Sequence, residues 1–193
     1  IGLCLVGSEM CIRDSHPLGL KVQKAEGPWL HLEGGGRLFD AISGIGVSSF
    51  GHGHPNILGA LKTQMDKHLH TMVYGELIQE VQIEASHALR ATLPDHLDAI
   101  YFLNSGAEAI EAAMKLAKRV TGRQRLFGVE GGYHGSTHGA LSISSNEGRK
   151  SAYLPLLPNI DFLAWNEEHD LEKVDATVAA VVVETVQGDA GVR

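Results

Sequence analysis

The sequence predicts an α/β protein built on a mostly parallel β-sheet. The apolar run Val178–Val183 consists only of valine and alanine, which is typical of a central parallel strand buried on both faces. Shorter apolar runs at Ile100–Leu103 and Leu126–Val129 also predict strands, and each is followed by a glycine-containing turn or a helical pattern. Strands that alternate with amphipathic helices favour parallel pairing, because each helix returns the chain to the same end of the sheet.

Composition and charge argue against several classes of protein. The 193 residues are 44% hydrophobic and 20% charged, as in ordinary globular domains. The net charge of −7 argues against a nucleic-acid partner, and no apolar run approaches the ~20 residues of a membrane-spanning helix. Both cysteines, Cys4 and Cys11, precede residue 16, which excludes a disulfide framework from the rest of the chain. We therefore expect a cytoplasmic protein that binds neither nucleic acid nor membrane.

The chain divides into three segments. Residues 1–15 fit poorly with the rest of the chain and lack the features of a secretory signal, so we expect an extraneous or disordered segment. Residues 16–75 are predicted to form an N-terminal segment of hairpins and a helix. Residues 76–193 are predicted to form the first part of a larger sheet domain.

Short strands and tight turns dominate the N-terminal segment. Val22–Glu26, Trp29–Leu32 and Arg37–Asp40 are separated by Gly27-Pro28 and by a triple-glycine turn, which predicts two successive hairpins. The triple glycine matches neither phosphate-loop fingerprint, so a nucleotide-binding enzyme is disfavoured.

A stretch of small residues, Ser43–Gly53, can pack closely or line a pocket. His52 and His54 have no third ligand nearby, so we expect no metal site. Pro55 begins a helix predicted over residues 56–70, and a second amphipathic helix is predicted over 76–93. The apolar residues expected on the inner faces of these helices are Ile57, Leu58, Leu61, Met65 and Leu69, and then Leu77, Val81, Ile83, Ala88 and Leu89.

The most informative stretch is Ile100–Lys118, which predicts the end of a buried strand, a tight turn and a helix. Ser105 followed by Glu108 is a capping box, which makes Ser105 the expected N-cap. The free N–H groups of the first turn, the helix dipole and the missing side chain of Gly106 together favour phosphate binding. An ordinary capped helix is the alternative interpretation.

The same helix is predicted to bury one face and to end at Gly122. Its apolar residues recur at helical spacing, whereas the opposite, outer face is expected to carry Glu108, Glu111, Lys115 and Lys118.

Two further loops place polar residues after strands. Gly131–Gly139 carries Tyr133 and His134 to a strand end, where ligands collect in open α/β sheets. Glu184 ends the last apolar run, and a carboxylate in that place is either paired or functional. The alternative for Tyr133 is core packing.

Five strings in order are typical of one enzyme family. They are Asp40 with Ser43-Gly-Ile-Gly-Val47, Gly51-His-Gly-His-Pro55, Phe102-Leu-Asn-Ser-Gly-Ala-Glu-Ala109 with Lys115-Leu-Ala-Lys118, Gly132-Tyr-His-Gly135, and Val183-Glu-Thr-Val-Gln-Gly188. From about residue 17 onward the chain resembles the class III pyridoxal-phosphate aminotransferases, and most closely the acetylornithine type. The resemblance implies the fold type I of pyridoxal-phosphate enzymes, here incomplete, with the N-terminal segment and the first part of the large, mostly parallel sheet domain.

The resemblance also implies a cofactor, pyridoxal 5′-phosphate (PLP), and the residues that bind it. Ser105, Gly106 and Ala107 would hold the phosphate through backbone N–H groups and the Ser105 hydroxyl. Tyr133 would stack on the pyridine ring, with His134 beside it.

Five more residues receive roles from the resemblance. Glu184 would lie near the cofactor and the substrate carboxylate, and Gln187 would lie close to the ring oxygen. The residues expected to line the substrate pocket are Ser43, Gly44 and Ile45.

The sequence departs from the family pattern in three places. Glu184-Thr185 stands where the family usually has Glu-Pro, and Gly188-Asp-Ala-Gly191 stands where it often has Gly-Glu-Gly-Gly. The Schiff-base lysine and the aspartate that pairs with the pyridine nitrogen would both lie beyond Arg193. We therefore expect no catalytic residue within this chain and interpret it as the N-terminal half of an enzyme.

The implied reaction moves an amino group from an amino-acid or ω-amino donor to a 2-oxo acid. An aminomutase or a decarboxylating enzyme of the same family would share much of this half, and a non-catalytic PLP-binding scaffold is the alternative from another class. The full-length enzyme would be a homodimer, with Ser43–Gly53 and Thr71–Glu76 as candidate interface segments.

Overall fold

The computed structural model describes residues 19–72 and 75–193, which form two compact units divided between His87 and Ala88. The predicted extraneous segment, residues 1–15, lies outside the described residues. The division falls inside a helix, Glu80–Arg90. The predicted domain boundary at residue 75 stays a prediction.

The first unit contains a three-stranded antiparallel sheet. Its strands are β1 (Val22–Glu26), β2 (Trp29–Leu32) and β3 (Arg37–Phe39), which pair in that order. Both predicted hairpins are confirmed. The three glycines at 34–36 all adopt positive φ, between 84° and 96°, which fits a turn that other residues would strain.

Two helices follow this sheet along the chain, and their predicted inner faces are exposed. They are α1 (Pro55–Lys67), which begins at the predicted proline, and α2 (Glu80–Arg90), each shorter than predicted. The apolar residues assigned to burial are instead 40–75% exposed: Ile57, Leu58, Leu61, Met65, Leu69, Leu77, Val81, Ile83 and Leu89; Ala88 is exposed as well. Hydrophobic period identifies the face of a helix that can be buried, but it does not supply the surface that covers it.

The second unit is organised around a parallel sheet, as predicted. Its strands are β4 (Arg125–Val129), β5 (Ile160–Leu163) and β6 (Val178–Val181), in the order β5-β4-β6. Both pairings are parallel.

The predicted central position of β6 in the sheet of the whole enzyme stays a prediction. Among the described residues β4 lies in the middle of the sheet, and Leu126 and Phe127 are its most buried side chains. The predicted central strand, β6, lies at an edge, with Val181 36% and Val183 59% exposed. A run of valines suits any pleated strand, whereas its place in the sheet depends on neighbours that the run itself does not encode.

The predicted strand at Ile100–Leu103 does not form. This segment has no regular secondary structure and does not pair with β4, β5 or β6 in the described part of the chain, and Tyr101 is 72% exposed. Aromatic and β-branched residues favour a strand only where a neighbouring strand completes the hydrogen-bond ladder.

Helix α3 (Gly106–Thr121) packs on the sheet and forms the core of this unit. Met114 contacts Leu126 and Ile143, the last residue of helix α4 (His138–Ile143). Gly128 allows α4 to approach β4, because a Cβ atom there would lie 2.5 Å from the carbonyl oxygen of Ile143. A short helix, α5 (Glu147–Lys150), then leads toward β5.

Glu111 lies at the contact between α3 and α4, not on the outer face as predicted. Its carboxylate accepts hydrogen bonds from the Thr137 hydroxyl (2.7 Å) and from the N–H groups of Gly139 (2.8 Å) and Ala140 (3.2 Å). Burial opposes ionisation of Glu111, but the hydrogen bonds from these three groups outweigh it and lower its pKa. Glu111 therefore caps the start of α4.

Replacing this carboxylate should destabilise the protein. We expect Glu111→Gln to reduce the free energy of unfolding by about 1–2 kcal/mol at pH 7, because hydrogen bonds to a charged group are lost. The lowered pKa in the folded state means that this stabilisation is present above the unfolded pKa of ~4.3 and disappears as the pH falls through the folded value. Urea unfolding at pH 7 and pH 3 measures both effects. Glu172→Gln, at an exposed position, is the control, and an equal loss in both variants would contradict the capping role.

Candidate functional site

The start of α3 has the geometry that the capping box predicts. Ser105 is the N-cap, with extended backbone (φ −152°, ψ 160°), and its hydroxyl oxygen accepts the N–H of Glu108 at 3.2 Å. The Glu108 carboxylate reaches one residue further back than expected and accepts the N–H of Asn104 at 2.8 Å. Ser105 and Gly106 are exposed and Ala107 is half-buried. The positive end of a sixteen-residue helix is thus accessible to an anion.

Tyr133 follows β4 in the glycine-rich loop and is held from several sides. Its N–H donates to Glu184 Oε1 at 2.8 Å, and its hydroxyl lies 3.4 Å from Ser136 Oγ. The guanidinium carbon of Arg149 lies 4.9 Å from the centre of its ring. The residue is 41% exposed, which rules out core packing and leaves ring surface available to a ligand.

The loop carrying Tyr133 and the start of α3 are in direct contact. A Cβ atom on Gly135 would lie 2.6 Å from Ala107 Cβ, and the positive φ of 127° at Gly135 also requires glycine. The structure therefore brings the candidate phosphate-binding residues and the loop of the candidate stacking residue together.

His134 is buried beneath this loop. Its backbone N–H donates to Ser144 Oγ at 2.8 Å. The ring nitrogen Nδ1 lies 3.9 Å from Glu184 Oε1, beyond hydrogen-bond distance. Nε2 has no hydrogen-bond partner in the described part of the chain. Burial lowers the pKa of His134 more than Glu184 raises it, so the imidazole is neutral near pH 7.

Glu184 and Gln187 fasten the loop after β6 to the loop after β4. The Glu184 carboxylate is paired with the backbone of Tyr133. Gln187 is fully buried, and its amide donates to the carbonyl oxygen of Glu130 at 2.8 Å and accepts from Arg193 Nε at 3.3 Å. Both polar groups of the Gln187 side chain therefore make contacts within the protein.

Sequence reasoning missed two residues beside this loop, Arg149 and Asp189. Their side chains form a double contact at 3.3 Å per nitrogen–oxygen pair. They are forty residues apart in the chain, and no local pattern predicts such a pair. The only available signal was that Asp189 falls where the sequence departs from the family pattern.

The candidate substrate-lining residues Ser43, Gly44 and Ile45 lie in the first unit, whereas the cofactor candidates lie in the second. They adopt left-handed backbone with φ of 52°, 60° and 60°, and Ile45 is 91% exposed. Left-handed conformation costs a residue with a side chain about 1–2 kcal/mol, so the surrounding structure must hold it in place.

Asp40 supplies that support. Its carboxylate accepts from the N–H groups of Ser43 (2.8 Å) and Ile42 (3.2 Å) and lies 2.7 Å from His52 Nε2. The hydrogen bond with His52, followed by that from Ser43, lowers the pKa of Asp40. Asp40, itself in contact with His52, thus stabilises the left-handed turn at Ser43–Ile45.

The two histidines considered for a metal have other partners. His52 contacts Asp40, and His54 caps α1 by accepting the N–H of Asn56 at 3.3 Å. Within residues 19–72 and 75–193 no group of three histidine, cysteine, aspartate or glutamate side chains is placed to hold a metal ion. No helix in this part of the chain is long and apolar enough to cross a membrane.

Comparison with known proteins identifies the family to which this chain belongs. The family model of class III aminotransferases matches residues 10–193. A [LysW]-aminoadipate semialdehyde/glutamate semialdehyde transaminase of Sulfolobus acidocaldarius is 37% identical over 90% of this chain and 44% of its own length. An acetylornithine aminotransferase of Methanopyrus kandleri is 37% identical over 87% of this chain and 43% of its own length. The chain thus spans less than half the length of these curated relatives.

Solved structures show the same fold. An (S)-enantioselective omega-transaminase of Thermomicrobium roseum superposes with a TM-score of 0.83, at 24% identity, over 97% of this chain and 48% of that chain. The ornithine aminotransferase of Toxoplasma gondii, whose structure has partial occupancy of PLP at the active site, gives 0.82 at 25% identity, over 93% of this chain and 44% of that chain. The family match over nearly the whole chain shows that the protein belongs to the class III aminotransferases, a PLP-dependent family, and is similar to its acetylornithine members.

Proposed function

We propose that this chain is the N-terminal, phosphate-anchoring part of a PLP-dependent aminotransferase that moves an amino group from an amino-acid or ω-amino donor to a 2-oxo acid. The observation that carries the proposal is the contact between Ala107 and Gly135, which joins an accessible helix start to an exposed aromatic ring. A phosphorylated aromatic cofactor needs both features within the length of one small molecule.

The residues present fit such a cofactor. The backbone N–H groups of Ser105, Gly106 and Ala107 lie at the positive end of α3, where a phosphate would bind. The missing side chain of Gly106 lets the phosphate approach the backbone. No side chain fills this space, since a Cβ built on Gly106 meets no atom within 4 Å.

Tyr133 and its neighbours would bind and orient the ring. Tyr133 offers an exposed aromatic face for offset stacking. Glu184, in the segment that follows β6, fixes the Tyr133 backbone through its hydrogen bond to the Tyr133 N–H. His134 supports the loop as a neutral, buried side chain, so it adds no positive charge beneath the ring.

PLP, when bound, supplies an electron sink for the substrate carbon that loses a proton. This chain binds and orients the cofactor. The lysine that moves the proton is not among the residues of this chain that match the family pattern. Lys115 and Lys118 sit in the later turns of α3, away from its phosphate-binding start. Gln187 is proposed to approach the ring oxygen in the whole enzyme, which requires its buried amide to leave its contacts with Glu130 and Arg193. Ser43–Ile45 are proposed to line the substrate pocket of the whole enzyme.

A single methyl group at Gly106 should block the phosphate without harming the helix. We expect Gly106→Ala to weaken binding of pyridoxine 5′-phosphate by at least about tenfold, because it crowds the backbone N–H groups that the phosphate would contact. Alanine is also a better helix former than glycine, so folding should not suffer. This ligand lacks the aldehyde of PLP and cannot react with surface lysines, and its fluorescence reports binding.

Gly59→Ala is the matched control, because a Cβ there also meets no atom within 4 Å and lies in the middle of α1 in the other unit. Unchanged affinity in Gly106→Ala, with measurable binding by the unmodified chain, would show that the phosphate binds elsewhere.

The 193-residue chain should have no transaminase activity of its own. We expect turnover of an amino donor and a 2-oxo acid, with added PLP, to equal that of a blank, because neither lysine of α3 is placed at the site. Activity well above the blank would contradict the proposal that the nucleophilic lysine lies beyond Arg193.

The full-length enzyme should be a homodimer. Apolar side chains of the stretch Ser43–Gly53 are strongly exposed, with Ile45 at 91%, Val47 at 84% and Phe50 at 77%, which is typical of a surface that another chain covers. The second candidate, Thr71–Glu76, lies partly outside the described residues. Light scattering of the full-length protein tests this, and replacing Val47 and Phe50 with serine should shift it toward monomer. An active monomer in the unmodified protein would contradict the expectation.

A further inference from the structure

Arg149 lies over the ring of Tyr133. Its guanidinium carbon is 4.9 Å from the ring centre, within the ~6 Å at which a cation is attracted to an aromatic face. Arg149 belongs to the short helix α5 and is half-buried, with 27% of its side chain exposed. It therefore limits the directions in which the Tyr133 ring can turn.

Arg149 is itself held at both ends. Its two terminal nitrogens each lie 3.3 Å from one carboxylate oxygen of Asp189, a forked arrangement that fixes the plane of the guanidinium. Its backbone N–H donates to Asn146 Oδ1 at 3.2 Å, which caps α5. A side chain with this many fixed points loses little further freedom when a ligand binds.

The segment that carries Arg149 is fastened to the loop that carries Tyr133. Ser145 Oγ accepts the N–H of Gly131 at 2.7 Å, and Ser145 N–H donates to the carbonyl oxygen of Gly132 at 3.0 Å. The distance between Arg149 and the Tyr133 ring is thus set by backbone contacts as well as by the side chains.

We propose that Arg149, held by Asp189, is a positioning residue that covers one face of Tyr133 and presents the other face to the pyridine ring. The inference rests on the proposed function and adds to it. An exposed tyrosine ring without such support must be ordered when the ligand binds, and that cost lowers affinity. Asp189 supplies the carboxylate that this support needs, at 3.3 Å from each terminal nitrogen of Arg149.

The test compares two phosphate esters, pyridoxine 5′-phosphate with its ring and glycerol 3-phosphate without one. For Arg149→Gln we expect affinity for the first to fall about fivefold and affinity for the second to stay unchanged, since only ring stacking depends on Tyr133. Asp189→Asn should show the same pattern more weakly, and Arg149→Lys, which keeps the charge but loses the fork, should retain part of the affinity.

Arg37→Gln is the matched control. Arg37 also lies over an aromatic ring, 4.1 Å from the centre of Trp29, but in the antiparallel sheet of the first unit. The substitution Arg37→Gln removes the same charge and the same kind of contact, and it should leave the binding of both ligands unchanged.

A double-variant cycle separates positioning from general stabilisation. In a Tyr133→Ala background, Arg149→Gln should cause no further loss of affinity, because the ring that it positions is gone. The inference is overturned if Arg149→Gln leaves pyridoxine 5′-phosphate binding unchanged while Tyr133→Ala weakens it, and the proposed function then stands. Equal losses for both ligands, or additive losses in the cycle, overturn it as well. Failure of the unmodified chain to bind pyridoxine 5′-phosphate overturns the proposed function and the inference together.

Discussion

The close approach of the glycine-rich loop to the start of α3 is the constraint on which the site depends. Gly135 has no side chain and so lets the loop reach Ala107, and Glu111, one turn further along α3, fixes the start of α4 through three hydrogen bonds. Such donors stabilise the ionised form of a half-buried carboxylate. These two contacts place a helix start and Tyr133 next to one another, and the contacts of Glu184 and Arg149 then refine the position of that ring.

Local patterns predicted the parts of this arrangement that are local in origin. The capping role of Ser105, the helix end at Gly122 and both hairpins follow from hydrogen bonds and turn chemistry within a few residues, and the structure confirms them. Order within the sheet did not follow from local patterns, because pairing partners determine which strand lies next to which. The Arg149–Asp189 contact could not be predicted for the same reason, since it joins helix α5 to a loop forty residues further along the chain.

Glu111 shows where periodicity misleads. Its spacing along α3 assigns it to the polar face, and it is polar, but the neighbour across that face is the backbone of α4 instead of solvent. Apolar residues on α1 and α2 give the opposite case, because they have the right spacing for burial and are exposed. Helical spacing therefore predicts whether a face of a helix is polar or apolar, but it does not predict what that face contacts. This distinction matters for the candidate site, whose residues act through their immediate neighbours.

The most direct test of the central claim is an NMR titration of the isotopically labelled chain with pyridoxine 5′-phosphate. It compares the backbone amide signals of Ser105, Gly106 and Ala107 with the ring signals of Tyr133. We expect both sets to shift together, with one dissociation constant, because one molecule spans the two places. Movement of only one set, or of the two sets with different dissociation constants, would contradict it.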